Sequence, residues 1–122
     1  MTKDVLVVED DDAIRDAIRE VLTEVGYSVT TAPNGEEALG RLRESERPPG
    51  LILLDLMMPV MDGWQFLDRL SADPGMHDVP VVVLSANVGG QPRNDVLLYL
   101  RKPIDLDRLV ETVDRWCATE PG

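Results

Sequence analysis

Four short apolar runs in this chain lead into residues able to do chemistry. Val5-Leu6-Val7-Val8 ends in the acidic run Glu9-Asp10-Asp11-Asp12, and Leu51-Ile52-Leu53-Leu54 ends in Asp55. The run from Val79 to Leu84 ends in Ser85, and the run from Val96 to Leu100 is followed by Lys102-Pro103. Carboxylates gathered in one place repel, and at least one must take up a proton unless a cation intervenes. Hard oxygen donors with few neutral partners suit Mg²⁺, which prefers octahedral geometry and keeps several waters. A lysine opposite the acids adds fixed positive charge. A cation, a lysine and a hydroxyl around one further carboxylate form a site for a phosphoryl group. The positive groups neutralise charge in the transition state, and the carboxylate acts as nucleophile to form an acyl phosphate. Taken singly, each residue has a plainer role: an acidic helix start, a turn cap, a surface lysine, a packing aromatic at Tyr99. Their conjunction at the ends of apolar runs carries the weight.

For these residues to meet, the runs must be parallel strands ending on one edge of a sheet. The intervening segments support that. Ile14, Ala17, Ile18, Val21, Leu22 and Val25 recur at helical spacing, which makes one apolar stripe, and Gly26 follows as a C-terminal glycine. Tyr27 to Thr31 reads as a second strand. Asn34, with Glu37 three residues on, opens a second helix that ends near Glu44, before Pro48-Pro49. Asp62 caps a helix carrying Phe66, Leu67 and Leu70, and Asp105 caps a last one with Leu106, Leu109, Val110, Val113 and Trp116. Alternating strands and helices predict an α/β fold, a doubly wound five-stranded parallel sheet with helices on both faces. In such sheets ligands bind outside the carboxyl ends of the strands, where the acids, Asp55, Ser85 and Lys102 fall.

Composition narrows the classes. A chain of 122 residues with 43% hydrophobic and 29% charged residues suits one globular domain, here residues 1–118 with a tail at 119–122. The net charge of −11 argues against nucleic acid and anionic membrane as partners. One cysteine, Cys117, allows no internal disulfide. With no apolar run long enough to span a membrane and no signal-peptide pattern, the expected location is cytoplasmic.

The motifs Val5-Leu6-Val7-Val8-Glu9-Asp10, Leu54-Asp55-Leu56-Met57-Met58-Pro59 with Asp62-Gly63, Val83-Leu84-Ser85-Ala86, and Tyr99 three residues before Lys102-Pro103 together resemble the response-regulator receiver family of two-component signalling. The resemblance covers essentially the whole chain and implies a flavodoxin-like strand order, 2-1-3-4-5. It implies that Asp55 accepts a phosphoryl group from a phosphohistidine on a sensor histidine kinase or phosphotransfer protein. Mg²⁺ would be held by Asp10 and Asp55, by Glu9 through water, and by the backbone carbonyl of Met57. Lys102 would pair with the phosphoryl group, Ser85 would move to hydrogen-bond it, Ala86 would leave access, and Tyr99 would change position with the state. A cis Lys102–Pro103 bond is implied as well. Met57 and Asn87 would flank the path of the attacking water, and the apolar Met57 predicts a long-lived aspartyl phosphate.

One departure stands out. Sixteen residues separate Ser85 from Lys102, fewer than receivers of the usual kind carry, and Gly89, Gly90 and Pro92 interrupt them. The helix expected between the fourth and fifth strands is therefore predicted to be shortened or absent. The functional expectation is a stand-alone receiver, a monomer or weak dimer, signalling to an unknown protein target or within a phosphorelay. Its only catalysis would be its own phosphorylation and dephosphorylation. A phosphorylation-independent adaptor would be expected to lack some of Glu9, Asp10, Asp55 and Lys102. A phosphotransferase acting on small molecules would want a second aspartate where Met57 stands. A flavodoxin-like cofactor carrier would want a phosphate loop where four acids stand.

Overall fold

The central strands form because their sequences are aliphatic on both sides. In the computed structural model, which describes residues 4–58, 60–86 and 95–117, β1 (Asp4–Val8), β3 (Leu51–Asp55) and β4 (Val81–Ser85) hold the middle of a five-stranded sheet. Every residue of β3 and β4 is buried. The edges are β2 (Ser28–Ala32) and β5 (Leu98–Arg101), and the order β2-β1-β3-β4-β5 is parallel throughout. The doubly wound architecture and its predicted strand order are therefore present. The edge strand β2 alternates exposed and half-buried residues before ending on buried Ala32, as expected where one neighbour is missing.

Successive side chains of each central strand feed two separate cores. Leu6, Val8, Ile52, Leu54, Val81 and Val83 face α2 (Gly35–Glu44) and α3 (Gly63–Ser71), which contribute Ala38, Leu42, Phe66, Leu67 and Leu70. Val5, Val7, Leu51, Leu53, Val82 and Leu84 face α1 (Asp12–Glu24) and α4 (Leu106–Trp116), which contribute Ile18, Leu22, Leu109 and Val113. Each helix starts on a side-chain cap. Asp11 accepts from Ile14 N–H at 3.0 Å, Asn34 from Glu37 N–H at 2.9 Å, and Asp105 from Asp107 and Arg108 N–H. Asp62 forms a reciprocal box with Gln65. Gly26, at φ +102°, takes the left-handed turn after α1.

Some boundaries differ from the sequence expectation. β4 begins at Val81 rather than Val79, because the Val79 N–H is spent on the Met76 carbonyl in a turn and Pro80 has no N–H to give. β2 runs one residue later than expected, and β5 covers Leu98–Arg101 rather than Val96–Leu100. Four helices are present among the described residues, with the predicted shortened or absent helix falling on residues 87–94, outside them.

Candidate functional site

Register brings the site together. Val8 pairs with Leu54, and Asp55 with Leu84, so Glu9-Asp10, Asp55 and Ser85 all emerge at the carboxyl edge of three neighbouring strands. Glu9 is fully buried, Asp55 is 3% exposed and Ser85 4% exposed, while Asp10 lies at the surface. One carboxylate oxygen from each of Glu9, Asp10 and Asp55 lies within 4.8 Å of the others. Lys102 comes from the segment after β5, where its N–H donates to the Ser85 carbonyl at 2.9 Å and the Lys102–Pro103 peptide is cis. Its Nζ lies 2.7 Å from Glu9 Oε1 and 3.4 Å from Asp55 Oδ1.

Three acids share one lysine, and the electrostatics follow. Burial pushes the Asp55 carboxyl up to about 7, hydrogen bonding to Asp10 and Glu9 adds to the rise, and the charge of Lys102 opposes it. Burial also works against ionisation of Asp10, but hydrogen bonds from Asp55 and Glu9 outweigh it and hold that carboxyl below its ordinary range. Desolvation would lower Lys102, yet its contacts with Glu9 and Asp55 raise it, so the lysine stays charged. A cluster of acids in which burial and its neighbours keep one carboxyl partly protonated near neutral pH is suited to a cation. Glu9, Asp10 and Asp55 supply the hard oxygen donors that Mg²⁺ takes, and the donor set fits it.

The remaining expected residues take distinct places. Met57 donates its N–H to Asp55 Oδ1 at 3.3 Å and leaves its side chain 76% exposed. Ala86 is exposed next to Ser85, and Asn87 lies outside the described residues. Tyr99 pairs in register with Val83 and packs, half-buried, against the core on the α2–α3 side; its hydroxyl oxygen is buried with no hydrogen-bond partner among the described residues. One residue escaped the sequence reading. Arg15 Nη1 donates to the main-chain carbonyl of Glu9 at 2.9 Å, and its other nitrogen pairs with Asp12. Its spacing from Asp12 marks only an ordinary ion pair on a helix surface, and does not reveal the bond to a backbone oxygen six residues back.

Comparison with known proteins agrees with this geometry. A family model described as the response regulator receiver domain matches residues 5–114. An uncharacterised 14.6 kDa protein from Leptolyngbya boryana is 37% identical over 123 residues, covering 97% of this chain and 92% of that protein. The receiver domain of sensor histidine kinase PA1611 from Pseudomonas aeruginosa, solved with a magnesium ion coordinated in its active-site cleft, is 27% identical with a TM-score of 0.84, covering 98% of this chain and all of that one. The phosphorylated cyanobacterial phytochrome response regulator RcpA is 31% identical with a TM-score of 0.78, covering 99% and 98% of the two chains. Among the described residues no helix is long and apolar enough to cross a membrane.

Proposed function

Starting from the fact that this chain belongs to the response regulator receiver family, we propose that it takes a phosphoryl group onto Asp55 from a phosphohistidine on a sensor kinase or phosphotransfer protein, and signals through contact with a target protein. The observation that carries the reading is the meeting of Glu9, Asp10, Asp55 and Lys102 in one cluster at the strand ends. The relatives solved with magnesium in the cleft and in the phosphorylated state support it.

The residues divide the work. A carboxylate oxygen of Asp55 attacks phosphorus; a P–O bond forms, the P–N bond of the donor breaks, and the histidine leaves with the nitrogen electron pair. Lys102, kept charged and aimed by Glu9, pairs with a phosphoryl oxygen. Asp10, Asp55, the water-linked Glu9 and the Met57 carbonyl would hold Mg²⁺, which when bound neutralises charge on the acids and on the phosphoryl oxygens. The Ser85 hydroxyl turns toward the phosphoryl group, and Tyr99 moves in response, carrying the change to the surface. The apolar side chain of Met57, two residues after Asp55, would hinder the attacking water and give a long-lived phosphoryl group. The chain catalyses only its own phosphorylation and dephosphorylation, and its setting is the cytoplasm.

The test is treatment with a small acyl phosphate, with and without Mg²⁺, followed by intact mass. One Mg²⁺-dependent phosphoryl adduct is expected, and none in Asp55→Asn. An adduct that survives that substitution or ignores the metal refutes the assignment. Phosphate release should be faster from Met57→Asn than from the unaltered protein, and equal rates refute the shielding role.

A further inference from the structure

Helix α1 turns one charged side chain back onto the strand that precedes it. Arg19, on the same helix, is 55% exposed and makes only a loose 3.4 Å pair with Asp16. Arg15 is different. Its side chain is 17% exposed, one nitrogen donates to the Glu9 carbonyl at 2.9 Å, and another pairs with Asp12. Glu9 is thereby held from several sides. Its N–H donates to the Ala32 carbonyl of β2 at 3.0 Å, its Oε2 accepts from Asp11 N–H at 3.1 Å, and its Oε1 meets Lys102. The corner from Glu9 to Asp12 joins the end of β1 to the first turn of α1, and Asp10 sits within it. Arg15 is the side chain that spans the corner from one end to the other.

We propose that Arg15 is a positioning residue for the cation site, tying the end of β1 to the first turn of α1 so that Glu9 and Asp10 stand ready to receive a divalent ion. The proposal rests on the Mg²⁺ reading given above. The sign of its effect separates it from a simple charge effect. A guanidinium near the acids repels a cation, so charge alone makes its removal tighten Mg²⁺ binding. Positioning makes removal weaken binding, since partners that orient metal ligands typically contribute tenfold or more to affinity. High salt cuts the reach of the charge effect to about 3 Å at 1 M and leaves the positioning effect in place.

The experiment is calorimetric titration of MgCl₂ into the full chain, the Arg15→Met variant and the Arg15→Lys variant in high KCl, with thermal melts of each without metal. Arg15→Met should weaken Mg²⁺ about tenfold, and Arg15→Lys, which keeps the charge but loses the two-armed guanidinium, should fall between. Affinity unchanged or tighter in Arg15→Met overturns the proposal, as does a lowered melting temperature with affinity intact. If Arg15→Met does not fold, Arg15→Lys decides: weaker binding supports the role, and equal binding overturns it. Absence of Mg²⁺ binding in the unaltered chain would instead bring down the metal reading itself, and the inference with it.

Discussion

At the amino-terminal end of the sheet, polar groups find partners within the protein: the Asp4 carbonyl accepts from Gly50 N–H at 2.7 Å, and the hydroxyl of buried Tyr27 donates to the exposed Asp114. At the carboxyl end, neighbouring strands deliver Glu9, Asp55 and Ser85 into burial, and two of these carry charge or must give it up. Both ends share the same aliphatic strands, so the difference lies in the residues that flank them. One end closes the fold; the other holds an excess of negative charge that folding alone does not resolve and that a cation can offset. At this end the buried Asp55 carboxyl works against folding at neutral pH, while the contacts of Lys102 with Glu9 and Asp55 offset part of that cost.

The sharpest way to break that comparison is pH. The folded Asp55 carboxyl titrates near 7 instead of 3.8, so the folded chain holds a proton that the unfolded chain releases. Its contribution favours folding below about pH 4 and is lost as pH rises to about 7. Asp55→Asn should therefore outlast the unaltered protein in urea melts at pH 8 without metal, by at most about 4 kcal/mol, with the gap closing toward pH 4 and shrinking in excess Mg²⁺. A gap independent of pH would show that the carboxyl end is not strained by charge. Next in size, Leu53→Ala, at a fully buried position facing α1 and α4, should destabilise by about 3 kcal/mol, with the acyl-phosphate adduct still formed by the molecules that remain folded. Loss of the adduct there would mean that core and pocket are not separable.

The smallest effect belongs to the loop after β3. Val60 is 73% exposed at φ +71°, a left-handed conformation that disfavours a β-branched residue. Val60→Asn should raise stability by about 1 kcal/mol, read as a shifted denaturant midpoint. No shift, or a fall, would mean that the apolar side chain compensates for its backbone.

The sequence made the sheet legible because strands buried on both faces must be apolar without interruption, and β1, β3 and β4 are so up to their ends. Their terminal acids and Ser85 were legible for the converse reason: a polar residue closing such a run has to have business there. Boundaries were harder. Val79 is apolar and buried but belongs to a turn, and burial does not reveal which backbone N–H joins a ladder. Arg15 was invisible because hydrophobic patterning records which side chains avoid water, whereas its role depends on a main-chain oxygen that any residue at position 9 would supply.

Gly63 opens α3 with its N–H on the Leu56 carbonyl at 3.0 Å, and a methyl group there would come 2.7 Å from the Leu56 Cα and 2.8 Å from the Asp55 carbonyl oxygen. The helix is seated flush against the backbone that carries Asp55, with no clearance. Bulk added at this contact would lever Asp55 out of line, so the tolerance of the acidic cluster is set in part by a hydrogen atom on its far side.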